Sequence, residues 1–108
     1  MNKFEVIILF QADLTNSVLK KQEDSFKNQL AQTSGTIINQ EDWGLKDLSY
    51  KIKKNKKAFY KLYQIEIEGS KIQEIKKTLT QNEKIIRHLF IKVDNHAILP
   101  TKQSIVEN

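Results

Sequence analysis

The chain has no cysteine, which excludes disulfides and every form of thiolate chemistry. Its three glycines, Gly35, Gly44 and Gly69, are too scattered for a loop that cradles phosphates, and no nucleophile elbow is present. The two histidines, His88 and His96, do not form a spaced ligand set. Glu41 and Asp42 are adjacent, but neighbours along a strand point to opposite faces, so they make no shared acid and base pair. An enzyme therefore has little to work with, and neither a metal nor a cofactor is expected. No apolar run approaches the roughly 18 residues of a membrane helix. The stretch from Val6 to Phe10 is too short, and begins too early, for a signal peptide. The expectation is a cytoplasmic protein with no membrane and no small-molecule substrate among its partners.

What is present is lysine, concentrated in one place. At 108 residues the chain suits a single domain with a two-layer core. Between Lys46 and Lys61 it carries seven lysines against one acid, Asp47. That segment's +6 exceeds the +5 of the whole chain, which leaves −1 for everything else. The same segment holds Tyr50, Phe59 and Tyr60, with Trp43 and Tyr63 at its borders. A lysine-rich hairpin is by default a solvated edge that discourages sheet aggregation. Lysines beside aromatics are also the combination expected of an arm that follows an RNA backbone.

Hydrophobic periodicity supplies the elements. Lys3 to Phe10 is apolar on both faces and reads as a central strand, with Ile7 and Leu9 facing away from the helices and open to a partner unless something covers them. Capping residues from Asp13 to Ser17 and a stripe of Leu19, Phe26, Leu30 and Thr33 predict a helix over about Ser17 to Thr33, ended by Gly35. Thr36 to Trp43 resumes extended chain, and Gly44 lets it bend into a long hairpin. Leu48 to Lys53 alternates with a period of two. Lys54 to Lys57 form a tip in which Asn55 takes the left-handed conformation, and Phe59 to Ile67 returns.

The return strand changes phase, since Tyr60 and Leu62 flank an outward Lys61 whereas Tyr63, Ile65 and Ile67 alternate with Gln64 and Glu66. Either a β-bulge lies near Leu62 and Tyr63, or the outer hairpin extends past the core. Ser70 with Gln73 makes a capping-box pattern before a second helix, over about Lys71 to Asn82, whose stripe is Ile72, Ile75 and Leu79. Ile85 to Val93 is a last strand, apolar at both parities. The string predicts an α+β fold, the ferredoxin-like split βαβ arrangement, with two helices on one face of a four-stranded antiparallel sheet and the first and third strands central. Residues 1–93 form the domain, and Asp94 to Asn108, with the lone proline Pro100, is read as an extended tail.

The run Gly44, Leu45, Lys46, Asp47, Leu48, Ser49, Tyr50, Lys51, Ile52, Lys53 closely resembles the signature segment of the bacterial small-subunit ribosomal protein six family. The resemblance extends over about residues 3 to 93, through Lys3, Phe4 and Glu5, the Gly35 turn, the Tyr63 to Ile67 strand and Ile86, Arg87 and His88. It implies a structural constituent of the small ribosomal subunit. Such a protein binds the central domain of small-subunit ribosomal RNA together with small-subunit ribosomal protein eighteen, without catalysis. The expected RNA-binding residues are Lys46, Tyr50, Lys53, Lys54, Lys56, Lys57, Lys61 and Arg87, and the expected partner-binding residues are Ile7 and Leu9. Arg87, the only arginine, can hold a phosphate through two hydrogen bonds or make an edge ion pair with Glu5 or Glu83; the resemblance favours RNA. Tyr60 and Tyr63 are open to a core or an RNA role. The alternative is a ferredoxin-like regulatory domain that senses a small molecule and dimerises through its sheet.

Overall fold

The computed structural model describes residues 1–97. Its elements run β1 (Asn2–Gln11), α1 (Asn16–Gln32), β2 (Thr36–Ile52), β3 (Asn55–Ile67), a 3-10 turn (Gly69–Lys71), α2 (Ile72–Gln81) and β4 (Ile85–Val93). The sheet order is β2-β3-β1-β4 and every pair is antiparallel. This is the ferredoxin-like split βαβ fold, with β1 and β3 in the centre as their continuous apolar sequences require.

Helix α1 starts on Thr15, whose hydroxyl accepts from the Val18 N–H at 3.3 Å. It ends in paired bonds from the Gly35 N–H to the Leu30 carbonyl (2.8 Å) and from the Ser34 N–H to the Ala31 carbonyl (3.1 Å). Ser34, not Gly35, takes the left-handed conformation there, with φ of +63°. Gly35 is required for space, since a Cβ on it would lie 2.9 Å from side-chain carbons of Leu30. The capping box expected at Ser70 and Gln73 does not form. The 3-10 turn runs directly into Ile72, and no side chain caps either start.

Both helices bury their stripes on one face of the sheet. Phe26, Leu30, Ile75 and Leu79 pack with Val6, Ile8, Tyr63, Ile65 and Ile67, and the Phe26 and Tyr63 rings lie 4.9 Å apart. The opposite face carries a second cluster of Ile7, Leu9, Ala58, Tyr60, Leu62 and Ile86, closed by Trp43, Leu48, Ile52 and Leu89. Strand β4 thus sends Ile85 and Phe90 toward the helices and Ile86 and Leu89 to the other side.

The phase change in β3 has neither of the two expected causes. β3 pairs with β1 in unbroken register from Ala58 to Ile67, so there is no bulge at Leu62 and Tyr63. Both its faces are buried, and Lys61 is the polar interruption on the helix side. The irregularities lie in β2, where register shifts fall between Ile37 and Asn39, between Asp42 and Gly44, and between Asp47 and Ile52. Gly44 adopts φ of +76°, and its N–H donates to the Asp42 carboxylate at 2.8 Å. That local bulge turns Trp43 onto the face opposite the helices.

Candidate nucleic-acid interface

The outer hairpin does not project away from the body. Trp43 stacks on Tyr60 with ring centroids 6.4 Å apart, and Leu48 and Ile52 pack with it over the sheet. The arm starts at one edge of the sheet, on β2, and reaches the other, on β4. There an Arg87 guanidinium nitrogen donates to the Tyr50 hydroxyl at 3.3 Å. Between Asp47 and Ile52, four residues of β2 stand against Lys56 alone in β3, and this excess length lets β2 curve across.

The tip is a two-residue turn at Lys53 (φ +51°) and Lys54 (φ +69°), both left-handed as the twist of a tight hairpin demands. Asn55, expected in that conformation, instead closes the turn from outside: its amide donates to the Ile52 and Lys53 carbonyls, at 3.2 Å each. Its side-chain bonds leave the lysines in the strained positions.

The predicted RNA residues separate into two groups. Tyr50, Lys53, Lys54, Lys56 and Lys57 are exposed along the arm, Lys46 and Arg87 are half-buried, and Arg87 joins this set through Tyr50. Lys57 lies 3.7 Å from Asp47, an exposed pair. Lys61 does not belong with them. It is 7% exposed, on the helix side, with its ammonium 2.7 Å from Asp42 and 3.7 Å from Glu23. Burial pushes the Asp42 carboxyl up, but the Lys61 hydrogen bond, the Gly44 N–H and the Lys61 charge together hold it below its ordinary value. Tyr63 completes the group by donating to Glu23 at 2.8 Å, and burial, followed by the Glu23 charge, drives its own ionisation far upward. Tyr63 is therefore core, and Tyr60 is core beneath Trp43.

Ile7 and Leu9, expected to meet a partner, are only 1% and 2% exposed. The hairpin covers them, so on the described chain they offer no surface. Large apolar residues do remain exposed on β2, namely Ile38, Leu45 and Tyr50. Beyond β4, residues 94–97 of the expected tail lie back on the sheet. His96 Nε2 lies 3.2 Å from the Phe4 carbonyl and 3.0 Å from that of Ile65, and with two carbonyls as partners this nitrogen must carry the proton. The buried Glu5 carboxylate accepts from the Ala97 N–H at 2.7 Å and the Gln64 amide at 2.9 Å. The remainder of that tail, from Ile98 onward, lies outside the described residues.

A family model described as Ribosomal protein S6 matches residues 3–92. The chain belongs to the ribosomal protein S6 family. It is 33% identical over 97 residues to the small ribosomal subunit protein bS6 of Phocaeicola vulgatus, which covers 90% of this chain and 85% of that one. To the same protein of Rickettsia felis it is 33% identical over 102 residues, covering 94% and 84%. A crystal structure of 30S ribosomal protein S6 from Thermotoga maritima superposes with a TM-score of 0.81 over 85% of this chain and 87% of that one. At 18% identity, that likeness speaks for the fold. Membership in the S6 family makes the chain a small-subunit ribosomal protein, found on the ribosome in the cytoplasm. Independently, no helix among the described residues is long and apolar enough to cross a membrane.

The S6 signature segment, Gly44 to Lys53, thus forms the bulge, the arm that crosses the sheet and the first residue of its turn. Sequence reasoning missed the surroundings of that turn, because Lys53 comes to line one cleft with Thr80 and His88 only after the arm has crossed the sheet.

Proposed function

We propose that this chain binds the central domain of small-subunit ribosomal RNA through the curved hairpin and Arg87, beside small-subunit ribosomal protein eighteen, as a structural constituent without catalysis. The observation that carries the reading is the exposed row Lys51, Lys53, Lys54 and Lys56 around Tyr50, on a chain whose charge is otherwise near balance. Phosphates attract such a row through counterion release. The Arg87 guanidinium against the Tyr50 hydroxyl anchors the row to β4. With the face opposite the helices covered, the exposed apolar side chains that could meet a protein partner include, among the described residues, Ile38 and Leu45 on the β2 edge. The same cover disfavours the sensing-domain alternative, which would need that face bare to dimerise.

Affinity for the RNA and partner assembly should fall with salt by roughly 0.7 to 0.9 log units per log unit of salt for each phosphate contacted. Exchanging Lys53, Lys54, Lys56 and Lys57 together for Gln should flatten that slope, whereas the same exchange at Lys20, Lys21, Lys71 and Lys77, exposed on the helix layer, should leave it nearly unchanged. Equal losses in both variants would mean diffuse binding. A loss in the helix variant alone would put RNA on the wrong face.

A further inference from the structure

The hairpin turn and the start of β4 enclose a cleft of about 180 Å³, lined by Lys53, Thr80, Arg87 and His88 over a floor of Leu79, Ile85 and Ile86. These residues come from three parts of the chain, brought together by the arm crossing the sheet. The polar side chains lining it are cations or hydrogen-bond donors, and none is a carboxylate. Lys53 is held toward it at φ of +51°, a conformation a non-glycine residue adopts at a cost.

We propose that this cleft binds one phosphate of the RNA backbone, with Lys53 and Arg87 supplying charge and with Thr80 as a hydrogen-bond donor whose availability depends on the protonation of His88. The inference rests on the RNA-binding reading above and deepens it.

The pH dependence comes from the Thr80 and His88 pair, whose hydroxyl and Nε2 are 3.2 Å apart. With His88 neutral and its proton on Nδ1, Nε2 accepts a hydrogen bond from the Thr80 O–H, which is then not available to a ligand. Protonated His88 reverses the bond. Nε2 then donates to the Thr80 oxygen, the Thr80 O–H is free to point at an oxyanion, and the ring adds a positive charge. Without a ligand this state is disfavoured. Burial lowers the His88 pKa first, and the charges of Lys76 and Lys53 lower it further. Lys76 sits over the Phe90 ring, 5.6 Å from its centre, and that ring meets His88 edge-on. The charged groups acting on His88 are thus Lys76 from α2 and Lys53 from the turn, while Arg87, its neighbour on β4, lines the same cleft with its guanidinium on the Tyr50 hydroxyl. A phosphate among them would offset their repulsion and raise the His88 pKa.

Two measurements on the full chain test this. In the first, the His88 ring is titrated by NMR in sulfate, an oxyanion that does not itself titrate in this range, and in chloride at matched ionic strength. The His88 pKa should rise in sulfate, and less so in Lys53→Gln. In the second, affinity for central-domain ribosomal RNA with its protein partner is followed from pH 8 to pH 6. The wild type should tighten as pH falls, toward a limit of about tenfold for each unit that bound phosphate raises the His88 pKa, a limit reached only below the lowered pKa of the free protein. His88→Gln should lose that dependence while keeping its salt slope, and Thr80→Val should weaken it. If wild type and His88→Gln show the same pH profile while the hairpin variant still loses its salt slope, the cleft assignment is overturned and RNA binding by the hairpin stands. A sulfate shift without a His88-dependent RNA profile is an adventitious ion only and overturns it equally. If the hairpin variant keeps its full salt slope, the RNA reading has failed, and the sulfate titration alone decides whether the cleft binds oxyanions.

Discussion

Lys61 shows how one residue can be misplaced by charge alone. Sequence periodicity groups it with the arm's lysines, but at its position in β3 the odd-numbered residues face the helices, and its ammonium is taken up by Asp42 and Glu23. Such a buried group is worth more for what its loss exposes than for its net contribution. Lys61→Met keeps the stem's packing but leaves Glu23 with only the Tyr63 hydroxyl among these partners. It should cost about 1–3 kcal/mol in urea unfolding. Because Asp42 is held below its ordinary value, its stabilising contribution is full above the ordinary carboxylate range and lost as pH falls through the lowered value. That acid-side loss should be smaller in Lys61→Met. The salt slope of RNA binding should be unchanged by this substitution, which separates Lys61 from its neighbours on the arm.

At the level of elements, the helices were legible because amphipathic stripes state their own boundaries: Ser17 to Thr33 was expected against Asn16–Gln32, and Lys71 to Asn82 against Ile72–Gln81. Strand order followed from the continuous apolar character of β1 and β3. The course of the arm was not legible. Alternation in Leu48, Tyr50 and Ile52 says that one face is covered, but not that it covers the sheet from which it grew. That depends on three irregularities in β2, and only Gly44 marked one of them in the sequence. For the same reason the sequence leaves Ile7 and Leu9 open unless something covers them, and it does not show that the arm is the cover. If the crossing depends on Trp43 seated on Tyr60, Trp43→Ala should cost roughly 2–4 kcal/mol, somewhat less than the roughly 3–5 kcal/mol of a fully buried aromatic, because Trp43 is only partly buried. It should also raise hydrogen exchange at Leu48 to Ile52 before it does so in β1. Equal exchange in both places would show that the arm and the sheet open as one unit.

Taken as a whole, the molecule buries the sheet on one side with helices and on the other with two returning segments, the hairpin over its outer half and residues 94–97 over Glu5 and Gln64. The second cover consists almost entirely of hydrogen bonds. Ala97 donates to Glu5 and accepts from Gln64 at 2.7 Å, while His96 spans the Phe4 and Ile65 carbonyls. It carries the chain from the β4 edge inward across β1 to β3, where Ala97 meets Gln64. A chain shortened to end at Val93 would return Glu5 and Gln64 to water, which replaces lost bonds at modest cost. A chain ending at Leu99 would keep His96 and Ala97, and with them these bonds. The first should be less stable than the second by about 1–2 kcal/mol, as expected for a few hydrogen bonds exchanged with solvent. Unfolding both in urea gives the difference directly. A gap near zero would mean that His96 and Ala97 rest on the sheet without holding it. A gap well above that range would mean that Glu5, once uncovered, stays buried without a partner.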